Sequence, residues 1–160
     1  MIFRTEEAKK NLARSWQRLD RPFFAAGACH VLAAAFLKTY PKAGFHAFLI
    51  LPETNLRGSH VAVTNGLVVF DYHGYVRHDA YLAHYFSKIR RFYPGWQGKI
   101  LRLEESPTAK SFCQKYQHRL PDQYWKDPQP RAVSYLNRFP PPHLLETDPR
   151  QAQDDRWMGY

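Results

Sequence analysis

The stretch from Phe23 to Tyr40, FFAAGACHVLAAAFLKTY, limits what this chain can become. Every position from Val31 to Leu37 is apolar. A helix built from it has no polar face to turn to water, so it belongs inside a domain with other elements around it. The apolar run from Phe23 to Leu37 is short of a bilayer span and carries His30, so it reads as a core helix and no membrane association is expected. Pro41 and Gly44 stop it, and its start falls at Ala28 or Cys29. A cysteine there is exposed to the helix dipole and to unpaired backbone N–H groups, which favour the thiolate.

The other elements must clothe this helix. Thr5 caps a first helix, and Ala8, Leu12, Trp16 and Leu19 give it one buried stripe until Asp20, Arg21 and Pro22 end it. Phe23 to Gly27 then reads as a loop. Strand signals follow at His46–Leu51, Ser59–Thr64 and Leu67–Tyr72, with His73-Gly74 turning the chain again. A helix over Asp79–Phe92 ends at Pro94-Gly95. Lys99–Leu103 alternates like a half-exposed strand, and Ser106-Pro107 opens a helix to about Tyr116. The predicted fold class is α+β: a central buried helix packed on an antiparallel sheet of three to four strands.

A length of 160 residues suits one domain. Residues 1–120 read as a single catalytic domain. Residues 121–160 hold seven of the twelve prolines, so they read as a proline-rich, partly ordered segment wrapping it, with a short helix near Arg131–Arg138. The charged N-terminus, MIFRTEEAKK, is no signal peptide, and two cysteines do not make a disulfide framework. Both observations point to a cytoplasmic protein, though a specialised secretion route leaves no such trace. The formal charge is +9, and its excess lies in the first 120 residues, because the remainder holds five Lys/Arg against six Asp/Glu. That basic surface admits nucleic acid, acidic lipid or an acidic partner, and equally fits general solubility.

The segment SHVAVTNGLVVFDY carries a geometric consequence. If Asn65-Gly66 form a two-residue hairpin loop, Thr64 faces Leu67 and His60 faces Asp71. The two side chains then share a face, with their Cα atoms about 5.5 Å apart if they form a hydrogen-bonded pair. A carboxylate so placed holds one imidazole nitrogen as N–H and leaves the other free as a base. A one-residue slip breaks the pairing. With Cys29 brought to the free nitrogen, the set is a nucleophile, a base and an orienter for covalent acyl chemistry.

The order of GACHVLA, GSHVAVTNG and LVVFDYHGY resembles the papain-like and transglutaminase-like cysteine enzymes, over roughly Phe23 to Tyr75. The resemblance implies a papain-like fold, with Cys29 as nucleophile, His60 as general base and acid and Asp71 as orienter. It implies a cysteine-dependent acyl hydrolase or transferase (peptidase, amidase, deamidase or transglutaminase-like). The substrate would be protein or peptide-like and carry an acyl group, and no cofactor or metal is expected. Pro22, Phe23 and Phe24 stand where the papain family has its oxyanion-hole glutamine, and Gln17 lies farther back.

Other readings compete. Cys29, His60, Asp71 and His73 include zinc-ligand types, but nothing has close CxxC or HxxxH spacing. His30 reads as a packing or hydrogen-bonding residue and Cys113 as core. Tyr81, Tyr85, Phe86, Phe92, Tyr93 and Trp96 lie near Lys88, Arg90 and Arg91, as a non-catalytic binding module for nucleic acid or protein would have them. At helical spacing they also fit a core.

Overall fold

A computed structural model describes residues 10–53 and 57–145. The fold is α+β, with helices around an open five-stranded antiparallel sheet. The chain runs α1 (Leu12–Trp16), α2 (Asp20–Ala25), α3 (Cys29–Thr39), β1 (His46–Pro52), β2 (His60–Thr64), β3 (Val68–Asp71) and β4 (Gly74–Arg77). It continues through α4 (His78–Phe92), β5 (Gly98–Arg102), α5 (Lys110–Lys115) and α6 (Pro128–Leu136). The sheet order is β4-β3-β2-β1-β5.

Side-chain alternation divides the core into two layers. Ala47, Leu49, Val61, Val63 and Phe70 pack with Val31, Leu32, Ala35 and Phe36 of α3. Phe48, Ile50, Ala62 and Val69 pack on the opposite face with Tyr81 and Ile89 of α4 and with Trp96. The α3 helix is therefore interior, between the sheet and the bundle of α2 and α6.

Several elements differ from the sequence expectation. Five strands form rather than three or four, because Gly74–Arg77 pairs with β3 from Val68↔Arg77 to Asp71↔Gly74. Four residues with so little apolar content carry almost no strand signal. Asp20–Ala25 is helical instead of a helix stop and loop. Asp20 favours the dipole in the first turn, where Pro22 loses no intrahelical bond. Leu19 is exposed rather than part of a buried stripe. Thr5 and Ala8 lie outside the described residues, and Asn11 caps α1 by accepting the Arg14 N–H at 2.9 Å. The C-terminal helix starts at Pro128, before the expected Arg131, because the Asp127 side chain caps it.

The β2–β3 hairpin departs most informatively. Its register pairs Thr64 with Val69 and Val63 with Phe70, two residues away from the expected pairing. A two-residue turn of the expected type needs positive φ at both Asn65 and Gly66. Only Gly66 adopts it, at 91°. The Asn65 Oδ1 instead accepts the N–H groups of Leu67 and Val68, each at 3.0 Å, which widens the loop to Asn65–Val68. Among the described residues, no helix is long and apolar enough to cross a membrane.

Candidate active site

The shift of two residues preserves the side-chain face. Asp71 lies opposite Ala62 when the ladder is extended, one same-face step from His60. The two side chains meet: His60 Nε2 donates to Asp71 Oδ2 at 3.1 Å. Both are buried, at 3% and 4% exposure. They sit on the face that α4 covers, and the His60 ring stacks on Tyr85 at 5.9 Å. Because β2 begins at His60, this ring stands at the end of the sheet. Tyr85 OH and Trp96 Nε1 donate to the carbonyls of Gly58 and Arg57, at 2.6 and 2.8 Å, and fix the approach to β2.

Asp71 ends β3 and opens a tight turn. Its Oδ1 accepts the His73 N–H at 2.8 Å and His73 Nδ1 at 3.1 Å. Its Oδ2 also accepts the Tyr81 hydroxyl at 2.9 Å. Gly74 closes the turn with φ at 97°, and a Cβ there would stand 2.8 Å from the Phe139 ring. The carboxylate thus has four donors, which fix its orientation and hold it ionised. Its pKa lies far below the usual carboxylate range: burial opposes ionisation, but His73 and His60 outweigh it by charge and hydrogen bonding.

Cys29 is the first residue of α3, and no side chain caps that helix N-terminus. The Tyr124 hydroxyl, donating to the Gly27 carbonyl at 2.6 Å, holds the preceding turn. The thiol is under the electrostatic influence of His60, His118 and His30, and its sulfur lies within 4.8 Å of a ring nitrogen of His30 and of His118. Since Nε2 of His60 serves Asp71, Nδ1 is the nitrogen left for Cys29. Burial raises the thiol pKa, but the His60 charge and the three imidazole contacts bring it well below its ordinary value. Burial likewise lowers the His60 pKa, and the Cys29 and Asp71 charges and hydrogen bonds lift it to about 10. Both shifts run in the direction of a thiolate–imidazolium pair backed by a carboxylate. Tyr81 keeps its proton as a donor, because burial and then the Asp71 charge raise its pKa well above the usual value.

Sequence reasoning missed His118 and Tyr81 as site residues and gave His30 a packing or hydrogen-bonding role, which its contact with the Arg119 carbonyl at 2.8 Å fits. His30 and His118 are in edge contact, with ring centroids 4.8 Å apart. His118 is more than eighty residues from Cys29, so no local pattern marks it. The ligand-capable atoms of Cys29, His30 and His118 all lie within 4.8 Å of one another. This is a different set from Cys29, His60, Asp71 and His73, whose last two members are turned toward each other. Gln17 is exposed at the end of α1 while Phe23 and Phe24 are buried, so neither stretch aims a polar side chain at the thiol.

The aromatic groups weighed for base stacking have other duties. Tyr81, Tyr85, Phe86, Tyr93 and Trp96 pack together on the sheet. Phe92 is exposed. A surface hollow of about 360 Å³ beside Phe86, Arg90, Trp96 and Gly98 contains none of the site residues.

A thiol shifted toward thiolate, a buried imidazole and a fixed carboxylate are the group types that covalent attack on an electrophilic carbon needs. Compared with known protein families, with curated proteins and with solved structures, the chain gives no match in any of the three.

Proposed function

We propose that this chain is a cysteine-dependent acyl hydrolase or acyl transferase with a papain-like arrangement of Cys29, His60 and Asp71. One observation carries the reading: His60, which shifts the thiol of Cys29 at the N-terminus of a buried helix toward thiolate, has a ring nitrogen held 3.1 Å from a saturated carboxylate. The substrate class is an amide, isopeptide or thioester in a protein or peptide-like molecule.

The steps follow from the groups. The Cys29 thiolate attacks the carbonyl carbon, the S–C bond forms, and the carbonyl electrons move to oxygen. The Cys29 backbone N–H, at the uncapped start of α3, faces that oxyanion and is favoured by the helix dipole. The His60 imidazolium then gives its proton to the departing amine or thiol, leaving an acyl thioester on Cys29. Water or an amine, deprotonated by His60, resolves the thioester and returns the thiolate. Asp71 keeps the ring in the orientation and tautomer that both proton transfers need.

The test is formation of the acyl-enzyme. Incubation with an activated aryl ester or thioester, followed by peptide mass mapping, should place the acyl group on Cys29. Cys29→Ser should remove it, and His60→Ala should slow it by about 10²–10⁴-fold. Acylation at other residues, or at an undiminished rate in His60→Ala, refutes the reading.

A further inference from the structure

The proposed chemistry uses one of the three imidazoles around Cys29 and leaves His30 and His118 without a task. Their hydrogen bonds fix their tautomers. His30 Nε2 lies 2.8 Å from the Arg119 carbonyl, and His118 Nδ1 lies 3.0 Å from the Tyr116 carbonyl. A carbonyl only accepts, so both nitrogens carry hydrogen, and each neutral ring keeps its lone pair on the other one. Those are His30 Nδ1 and His118 Nε2. His30 is 0% exposed, and its Nδ1 is a buried polar atom without a hydrogen-bond partner. Protein interiors seldom leave such an atom unused.

We propose that Cys29 Sγ, His30 Nδ1 and His118 Nε2 form a reversible binding site for a zinc-like divalent metal ion, whose occupancy silences the Cys29 nucleophile. One thiolate and two imidazoles suit zinc, a borderline-soft ion. A backbone carbonyl on the far nitrogen of each imidazole is the usual outer support of metal-ligating histidines. Metal–sulfur and metal–nitrogen bonds of about 2.3 and 2.0–2.1 Å set tetrahedral donors about 3.5 Å apart. The Cys29 sulfur and one ring nitrogen of each histidine already lie within 4.8 Å of one another, so small side-chain rotations close the site.

The backbone also invests in placing His118. Gln117 is left-handed at φ 55°, the one such non-glycine among the described residues. It ends α5 in a turn whose His118 N–H returns to the Cys113 carbonyl at 2.8 Å. Glycine is the usual residue there, and Gln117 bears the strain of a Cβ. His60 is not among the residues whose ligand-capable atoms share that 4.8 Å cluster. On coordination the sulfur lone pair passes from the His60 hydrogen bond to the metal, and the proton of the former pair leaves to solvent. The consequence for catalysis rests on the nucleophile reading; binding itself does not.

The test is titration of chelator-treated full-length chain with Co²⁺ and Zn²⁺. One ion per chain is expected, with a sulfur-to-cobalt charge-transfer band in the near ultraviolet. Cys29→Ser should abolish the band, and His118→Asn should weaken binding at least about tenfold. Cys113→Ala and His60→Asn should retain it. Should His118→Asn lose its native circular dichroism, zinc X-ray absorption of the wild type decides instead, with one sulfur and two imidazoles expected. Binding that survives Cys29→Ser, is unweakened in folded His118→Asn, or lacks sulfur overturns the site. Zn²⁺ should also protect Cys29 from iodoacetamide until chelator is added, and continued alkylation of the loaded chain refutes the silencing. Metal binding as assigned, with no acyl-enzyme in the metal-free chain, leaves the site standing and removes the nucleophile reading. The reverse pair of results removes the site alone.

Discussion

Asp71 shows how much one residue can set. Its carboxylate accepts from His60, Tyr81, the His73 ring and the His73 N–H, so it orients the His60 ring and shapes the turn together. Asp71→Asn should leave a charged His60 buried without its partner, at a cost of about 3–5 kcal/mol in denaturant unfolding. Tyr81→Phe removes one donor and should cost about 1–2 kcal/mol while the acylation reaction survives. The pH dependence follows from the directions of the shifts. His60 is raised, so its stabilisation is complete below its ordinary pKa and is lost as pH rises through about 10. Asp71 is depressed, so its contribution is present above the ordinary carboxylate range and is lost only as pH falls through its own low value. The melting temperature should therefore fall on the alkaline side near pH 10. Asp71→Asn should move that limb to lower pH, and an unmoved limb would show that Asp71 does not sustain the His60 charge.

The elements explain which residues the sequence could bring together. The face shared by His60 and Asp71 was legible because strand alternation has period two, and a register shift of two leaves it unchanged. The loop was not legible. Asn65-Gly66 suggests a tight turn, but the Asn65 side chain captures Leu67 and Val68 and spreads the loop before the strands pair. The place of Cys29 was legible because an all-apolar helix must be central and its N-terminus is set by Gly27-Ala28. His118 was not, since it arrives through a strained turn after α5, and no periodicity encodes that. The turn at Gly74 gives the test at this scale. Gly74→Ala forces a Cβ into positive φ and against Phe139, and should cost about 1–3 kcal/mol in stability. It should also displace the Asp71 turn, raising the pH at which Cys29 ionises.

At the scale of the molecule, the C-terminal part braces the layer that carries Cys29. Arg131 of α6 bonds to Asp20 Oδ1 at 2.8 Å and to the carbonyls of Trp16 and Arg18, each at 2.6 Å. Its guanidinium also lies over the Phe23 ring at 4.1 Å. These contacts tie α1 and α2 to α6 beside α3. Arg131→Ala should lose on the order of 2–3 kcal/mol in chemical denaturation. The thiol chemistry should be retained below the transition, because no site residue touches Arg131 directly. The α+β class could be read in advance because apolar runs and turn residues mark most elements. The fifth strand and this long-range brace could not, since both depend on partners far along the chain. The central claim is that the fold holds Cys29 as a thiolate paired with His60. Its most direct measurement is the rate of Cys29 alkylation by iodoacetamide against pH, in a Cys113→Ala background with chelator present. The midpoint should lie well below the ordinary thiol range of about 8.5, with His60→Ala returning it toward that range. A wild-type midpoint at that ordinary value, or a Cys29 that does not react, would contradict the claim.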